Sequence, residues 1–252
     1  MTIIKEFVDF IIYYLSIHSL NLKLKHKGEI SKMKKGKFIV FEGIEGAGKS
    51  KQVEMLYEYL SKKVQTHKTR EASDGPIGKL LREVYLLEKR KADPRIINLL
   101  YVPDRLDHIT NEEDGMLKMI NEGITVISDR YYLSSAACHS SLFFDDNAAR
   151  LKAMVDIIDA NKINFELLKA DITFYIDTEP EEAVKRMDDR EGEKSVFDNI
   201  EYMKKQQICY DTSIGYIKSN FGENIIRIDG NRMPEEVHAD VVKEINKLFN
   251  FN

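Results

Sequence analysis

The chain has 252 residues, of which 43% are hydrophobic and 32% are charged, and its formal net charge is −4. This composition is that of a folded globular protein and excludes a collagen-like or low-complexity chain. The small negative charge argues against a long nucleic acid or an anionic membrane surface as a partner. The cysteines, Cys138 and Cys209, are too few and too far apart for a disulfide framework, which favours a reducing compartment and predicts a cytoplasmic protein.

The first part of the chain differs in character from the rest. Residues 7–20 are nearly all apolar, but Asp9 and His18 interrupt them, and the stretch is shorter than the ~20 residues that span a bilayer. We interpret residues 1–34 as an N-terminal extension of unknown role. It is a peripheral amphipathic helix, a segment packed on the main domain, or a stretch upstream of a natural start at Met33. Residues 35–252 are predicted to form one domain.

From residue 37 onward, short apolar runs alternate with helical patterns, which is typical of an α/β fold with helices on both faces of a parallel sheet. The predicted strands are residues 38–41, 66–69, 124–127, 172–176 and 225–228. The predicted helices are residues 49–64, 77–87, 94–109, 148–160, 180–187, 200–218 and 234–249. The sequence therefore predicts a five-stranded parallel sheet.

Residues 43–50 read Gly-Ile-Glu-Gly-Ala-Gly-Lys-Ser and match the phosphate-binding pattern G-x-x-x-x-G-K-[ST] between a predicted strand and a predicted helix. In this motif, glycines let successive backbone N–H groups face an anion, Lys49 reaches the β and γ phosphates, and Ser50 offers an oxygen to Mg²⁺. The motif predicts binding of a nucleoside triphosphate. The predicted contacts are Gly43, Glu45, Gly46, Ala47, Gly48, Lys49, Ser50 and Lys51.

Asp129 and Arg130 follow the third predicted strand directly, at the edge of the sheet where ligands of open parallel sheets collect. Asp129 is predicted to hold Mg²⁺ through water and Arg130 to clamp phosphate oxygens, whereas the alternative is an ordinary surface ion pair.

A second acidic and basic pair, Asp104 and Arg105, lies on the predicted helix 94–109, with Tyr101 one turn earlier on the same face. The charges either belong to a solvated helix face, or Tyr101 and Arg105 offer a nucleobase a stacking surface and a hydrogen-bond donor.

A highly charged run, residues 185–194, lies between two predicted helices. It predicts a mobile lid over about residues 186–197, in which Arg186 and Arg190 deliver positive charge onto the transferring phosphoryl group. A solvated charged loop is the alternative interpretation.

Together these motifs resemble the thymidylate kinase family of P-loop enzymes, which phosphorylate dTMP. The resemblance covers about residues 37–249 and rests on ordered matches at residues 41–50, 70–78, 104–105, 129–137 and 174–183. It implies a P-loop kinase fold with a mobile lid, ATP as phosphoryl donor, Mg²⁺, dTMP as acceptor, and a homodimer.

The resemblance also implies roles for single residues. Glu45 takes the position of the acidic P-loop residue that faces the acceptor sugar, Tyr101 that of the aromatic residue that stacks on thymine, and Ser135 that of a polar residue at the base edge. The arginines around the monophosphate and base are Arg70, Arg105 and Arg130. Because the P-loop lacks an arginine between its glycines, the resemblance implies that the lid supplies the catalytic arginine. Arg190 is the first candidate for this role and Arg186 the second. The predicted catalytic residues are Lys49, Glu45, Arg130 and Arg190.

Some positions depart from the family pattern. Lys51 replaces a second hydroxyl residue after the P-loop serine, and Ala72 replaces a proline. Cys138 stands where a tyrosine forms the wall against the deoxyribose, and it is predicted to line the acceptor site. The remaining alternatives are a P-loop kinase for another nucleotide or for a deoxynucleoside, and a nucleotide-binding protein without turnover.

Overall fold

The structure is a computed structural model that describes residues 35–87, 89–188 and 200–251. The extension at residues 1–34 and most of the predicted lid, including Arg190, lie outside the described residues.

A five-stranded sheet forms the centre of the described chain. Every strand pairs in parallel with its neighbours, in the order β2-β3-β1-β4-β5. The strands are β1 (Phe38–Glu42), β2 (Thr66–Arg70), β3 (Thr125–Asp129), β4 (Ile172–Asp177) and β5 (Ile225–Asp229). The chain places β2 and β3 on one side of β1 and β4 and β5 on the other, so the strand order reverses at β1. Ligands of open α/β sheets bind outside the carboxyl ends of the strands at such a reversal.

Helices connect the strands and cover the sheet. They are α1 (Lys49–Leu60), α2 (Pro76–Leu80), α3 (Pro94–Thr110), α4 (Met116–Asn121), α5 (Tyr132–Ser141), α6 (Asn147–Ala160), α7 (Lys162–Leu167), α8 (Pro180–Asp188), α9 (Ile200–Phe221) and α10 (Pro234–Phe249). One π-helical turn, Leu81–Tyr85, continues α2. Within the described ranges, none of the helices combines the length and the hydropathy needed to cross a membrane.

The predicted fold class is confirmed, and each of the five predicted strands is present within two residues of its predicted bounds. The central strand β1 is buried along its whole length, which explains its unbroken apolar run. The strand β2 lies at the edge of the sheet and is largely solvent-accessible, and this is why its apolar signal was weak.

The predicted helices also match, with differences at several ends. Helix α1 stops at Leu60 rather than at residue 64, and α9 continues to Phe221. The sequence did not predict α4, α5 and α7. Helix α5 is almost entirely buried and rich in serine and alanine, so it has no polar face and no helical periodicity in hydrophobicity.

Candidate active site

The P-loop joins the buried strand β1 to helix α1 at the point where the strand order reverses. Gly46 and Gly48 have φ angles of 73° and 94°, in the left-handed region that favours glycine. A Cβ atom on Gly46 would lie 2.4 Å from the carbonyl oxygen of Ala183 on α8, so the loop packs too closely against α8 for any side chain there. These backbone constraints explain the glycine spacing of the motif.

Lys49 is buried at the start of α1, and its Nζ donates a 2.6 Å hydrogen bond to the carbonyl oxygen of Ile44 within the loop. Burial lowers the pKa of Lys49, and the positive charge of Arg130 lowers it further, while Glu45 and Asp129 oppose the shift. The ammonium group therefore lies inside the P-loop, among carboxylates that favour its charged form.

Ser50 and Asp129 come together although they are 79 positions apart in the chain. The Ser50 hydroxyl donates to Asp129 Oδ2 at 2.5 Å, while the buried Asp129 Oδ1 has no hydrogen-bond partner in the protein. Carboxylate and hydroxyl oxygens are the hard ligands that Mg²⁺ prefers, and Mg²⁺ in phosphoryl-transfer sites keeps several waters and phosphate oxygens as further ligands. The described residues contain no group of three or more His, Cys, Asp or Glu side chains that would form a protein-only metal site. The pair therefore fits Mg²⁺ held jointly with a nucleotide.

Arg130 follows β3 with a φ angle of 77°, and its guanidinium lies against the P-loop. Its Nη1 donates to the carbonyl oxygen of Gly43 and to the hydroxyl of Ser134, each at 3.0 Å, and its Nη2 forms a 2.6 Å ion pair with Glu45. Burial alone would lower the pKa of Arg130, but Tyr210, Glu45 and other groups outweigh it and raise the pKa well above its ordinary value. The structure thus joins Arg130 to the P-loop acid Glu45, which the sequence had placed in the same site.

Asp104 and Arg105 on α3 are each only 1% exposed, so the alternative that they belong to a solvated helix face is wrong. Arg105 donates to Glu71 Oε2 at 2.7 Å through Nε and to the Ser135 hydroxyl at 3.1 Å through Nη2, and Nη1 donates to Asn161 Oδ1. Burial opposes the charge of Arg105, but the carboxylate of Glu71 outweighs that effect and raises the pKa of the guanidinium. Every guanidinium nitrogen already has a protein partner, and a contact with a base carbonyl stays a prediction.

Arg70 is the last residue of β2, and Asp104 holds the loop that follows. Asp104 accepts hydrogen bonds from the backbone N–H of Ser73 at 2.9 Å and from its hydroxyl at 2.6 Å. Arg70 is exposed, lies opposite Asp129 in the sheet register, and forms a 3.2 Å ion pair with Asp74. Its guanidinium is therefore accessible from solvent at the carboxyl edge of the sheet.

Tyr101 is partly buried on α3, where it packs against a small apolar cluster that includes Leu81 and Ile97. Burial raises the pKa of its hydroxyl, with Arg130 opposing the shift, so the phenol is neutral and lies within electrostatic reach of Arg130. The sequence alone could not decide whether Tyr101 faces solvent or a site. The structure packs its ring against this apolar cluster.

Cys138 lies on α5, and its Sγ accepts a 3.1 Å hydrogen bond from Gln206 Nε2 on α9. Burial raises the pKa of the thiol to about 11, with Arg130 opposing the shift, so Cys138 is a neutral thiol at physiological pH. It shares α5 with Ser135, which holds Arg105. Helix α5, one of the three helices that the sequence did not predict, thus carries two of the predicted acceptor-site residues.

Arg186 lies on α8, which packs against the P-loop. Its Nη1 would be 3.8 Å from a Cβ atom on Gly48, and its Nε donates to Glu182 Oε1 at 2.9 Å. Arg186 therefore reaches the P-loop from the described end of the predicted lid. Lys51 is exposed on α1.

Three residues around Arg130 were absent from the predicted site: Ser134 and Tyr210, which accept hydrogen bonds from its guanidinium, and Glu42, which bonds Ser134. Glu42 is completely buried at the end of β1. Its position as a charged residue directly after an apolar strand is the sequence feature that could have indicated it. Tyr210 lies 80 positions beyond Arg130 on α9, and nothing in the sequence indicates their proximity.

A parallel sheet with a P-loop at its reversal point, together with a lysine, a serine–aspartate pair and an arginine around that loop, defines the class of P-loop kinases. Comparisons with known proteins narrow this class. The model of the thymidylate kinase family matches residues 41–241. The chain belongs to the thymidylate kinase family and is a nucleoside monophosphate kinase.

The chain is similar to relatives from bacteria and archaea. It is 31% identical over 220 residues to a thymidylate kinase of Rickettsia africae, which covers 86% of this chain and 100% of the relative. It is 33% identical over 211 residues to a probable thymidylate kinase of Methanococcus aeolicus, covering 83% of this chain and 95% of the relative. Among solved structures, a thymidylate kinase from Candida albicans superposes with a TM-score of 0.62 at 21% identity, covering 85% of this chain and 93% of the other. This last similarity supports the fold.

Proposed function

We propose that this protein transfers the γ-phosphate of ATP to dTMP and produces ADP and dTDP. One observation carries the proposal: the family match covers the segment in which Lys49, Ser50, Asp129 and Arg130 all lie around the P-loop. The described contacts do not favour another acceptor over dTMP.

In the proposed reaction, an oxygen of the acceptor phosphate attacks the γ phosphorus of ATP, a new P–O bond forms, and the bond to the bridging oxygen of ADP breaks. The attacking oxygen is already ionised at neutral pH, so catalysis is mainly positioning and electrostatic stabilisation. Lys49 supplies positive charge inside the P-loop, and Arg130 supplies it beside the P-loop acid Glu45.

Mg²⁺ is the second part of the proposal, and Ser50 and Asp129 are the residues that would hold it. When bound, Mg²⁺ neutralises charge on the phosphate oxygens. We expect EDTA to abolish transfer and MgCl₂ to restore it. Asp129→Asn should raise the Mg²⁺ concentration for half-maximal activity by roughly 10–100-fold, the usual effect of losing a residue that orients a metal-bound group. An unchanged Mg²⁺ requirement in this variant would remove Asp129 from the metal site.

The acceptor residues form the third part. We propose that Tyr101 stacks on the base, that Ser135 and Arg105 face its edge, and that Arg70 and Arg130 bind the monophosphate. Glu45 would face the acceptor sugar, beside Cys138. A coupled assay of ADP release, run in parallel with dTMP, dUMP, UMP, CMP, AMP, GMP and thymidine, tests both the activity and the acceptor. We expect dTMP to have the highest kcat/KM, and no turnover with any of them would refute the proposal.

For the donor side, we propose that Lys51 and Arg186 bind ATP phosphates and that Arg190 acts in the transition state. The placement of Arg186 beside the P-loop supports its part of this assignment. Arg190 lies outside the described residues, and its role rests on the resemblance of the sequence. Arg190→Ala should lower kcat much more than it raises either KM. A larger loss of kcat in Arg186→Ala would transfer the catalytic role to Arg186.

We further propose a homodimer. Helices α3, α6 and α7 expose large apolar side chains, and α7 contacts both α3 and α6. Ile96 and Leu99, both about half exposed, form adjacent positions on the outer side of α3. In size-exclusion chromatography with light scattering, Leu99→Asp should yield a monomer, while Ile208→Asp on α9, at similar exposure, should leave the dimer intact. A wild-type monomer would refute the proposal.

A cytoplasmic location is consistent with this function. Cys138 and Cys209, the only cysteines in the sequence, are both free thiols, as expected in a reducing compartment. We propose that residues 35–252 form the catalytic domain and that the extension before Met33 is not needed for transfer. Loss of activity in a protein that begins at Met33 would contradict this division. Recovery of the protein in the secreted fraction would contradict the cytoplasmic location.

A further inference from the structure

Glu42, the last residue of β1, fixes the start of helix α5. Its carboxylate is fully buried and accepts hydrogen bonds from the backbone N–H of Tyr131 at 2.8 Å and of Ser134 at 3.2 Å. These N–H groups belong to the first turn of α5, where the helix dipole and the unpaired donors favour a negative charge. Glu42 therefore ties the residue before the P-loop to the helix that carries the predicted acceptor-site residues.

The hydroxyl of Ser134 continues this connection toward the site. It donates its single proton to Glu42 Oε2, so its lone pairs are free to accept. It accepts a hydrogen bond from Arg130 Nη1 at 3.0 Å and lies 2.9 Å from the hydroxyl of Tyr210. The direction of donation is thus set from Arg130, through Ser134, to the buried carboxylate.

Tyr210 also contacts Arg130 and the P-loop. Its hydroxyl lies 3.1 Å from the carbonyl oxygen of Gly43 and 3.3 Å from Arg130 Nη1. The ring is fully buried and packs against Tyr175, with a distance of 5.1 Å between ring centroids. Arg130 Nη1 is therefore held by three fixed groups, whereas Nη2 is held by Glu45, which is partly exposed.

We infer that Ser134 and Glu42, with Tyr210, are positioning residues that hold the Arg130 guanidinium for the acceptor phosphate. This inference rests on the proposed function, because it takes Arg130 to bind that phosphate. A guanidinium fixed before the substrate arrives loses little conformational entropy on binding, and its charge stays directed at one place. Ser134 and Glu42 act through Arg130 and need no contact with either nucleotide.

The chain offers a closely matched control for this inference. Ser134 and Ser140 are the same residue type on the same buried helix, but the Ser140 hydroxyl bonds the carbonyl oxygens of Ala136 and Ala137 in its own helix and the thiol of Cys209, not Arg130 or Glu42. Ser134→Ala removes the link to Arg130, whereas Ser140→Ala removes a hydroxyl of similar burial without touching it.

The experiment compares dTMP with thymidine, which lacks the phosphate. In Ser134→Ala, we expect the dissociation constant of dTMP to rise about 10-fold, the usual cost of losing a hydrogen bond to a charged group, while KM for ATP and the inhibition constant of thymidine stay within about 2-fold. Ser140→Ala should leave all three values unchanged. In an Arg130→Lys background, Ser134→Ala should add little, because residues that act through one group are not additive.

Other outcomes would overturn the inference. If Ser134→Ala weakens the binding of dTMP and of thymidine equally, Ser134 has a purely structural role. If Ser134→Ala and Ser140→Ala have the same affinities, Ser134 has no role in binding the phosphate. If Ser134→Ala fails to fold, Tyr210→Phe keeps the ring packing and should weaken dTMP selectively in the same way, and an unselective effect there would refute the inference. A wild-type protein that binds dTMP but does not phosphorylate it would refute the proposed function. The comparison of dTMP and thymidine binding would still decide whether Ser134 positions Arg130.

Discussion

Arg105 offers a test of the structure that does not depend on catalysis. Its guanidinium is 1% exposed and neutralises Glu71, whose carboxylate is also 1% exposed. Replacing Arg105 with methionine keeps much of the side-chain volume but leaves that carboxylate buried without its counter-charge, and it removes the hydrogen bonds to Ser135 and Asn161. Breaking a buried ion pair by removing one partner typically costs about 3–5 kcal/mol of unfolding free energy.

For a domain of this size, each kcal/mol shifts the melting temperature by roughly 2–4 °C, so Arg105→Met should lower it by roughly 6–20 °C. Arg95→Met is the control, because Arg95 lies on the same helix in an exposed ion pair with Asp93, and this change should leave the melting temperature nearly unchanged. Combining Arg105→Met with Glu71→Gln removes the stranded charge and should restore part of the loss.

Thermal unfolding followed by circular dichroism measures these differences directly. The reasoning would be refuted if Arg105→Met melted within about 2 °C of Arg95→Met, or if the Glu71→Gln change added to the loss instead of relieving it. Either result would show that the contacts between α3, the loop after β2 and the α6–α7 junction contribute little to the folded state.

Three further predictions concern the P-loop, the acceptor sugar and pH. Lys49→Ala should abolish transfer while the circular dichroism spectrum stays unchanged, because the hydrogen bond of Lys49 is to a carbonyl oxygen of its own loop. Near-native turnover would contradict the P-loop assignment. Cys138→Tyr should increase the preference for dUMP over UMP in kcat/KM, because cysteine is too small to exclude a 2′-hydroxyl sterically. Strong rejection of UMP by the wild type would show that another residue excludes the 2′-hydroxyl. Burial raises the pKa of Glu42 to about 7, and its hydrogen bonds with Ser134 oppose the shift. The folded state therefore binds this proton more tightly than the unfolded chain, so the associated stability is complete below about pH 4.5 and is lost as the pH rises through about 7. We expect the melting temperature of the wild type to fall relative to that of Glu42→Gln between about pH 5 and pH 8, and a constant difference would show that Glu42 does not titrate there.

Much of the fold could be read from the sequence because it depends on local patterns. Apolar runs predicted β1, β3, β4 and β5, since buried parallel strands need continuous hydrophobic residues on both faces, whereas the exposed edge strand β2 gave only a weak signal. The glycine spacing predicted the P-loop, because left-handed φ angles and close packing against α8 exclude side chains at those positions. Helix α5 escaped prediction because burial on all sides removes the periodicity that marks a surface helix.

The connections within the candidate site depended on the tertiary structure. The sequence indicated Arg130 and Arg105 as charged groups but left open whether they were solvated, and burial with specific partners answered that question. Several of those partners lie far along the chain, since Arg130 and Tyr210 are 80 positions apart and Arg105 and Asn161 are 56 apart. A motif records which residues stand close in the sequence, whereas a hydrogen bond requires atoms about 3 Å apart in space. Only the packing of α3, α5 and α9 around the end of β1 brings those atoms together.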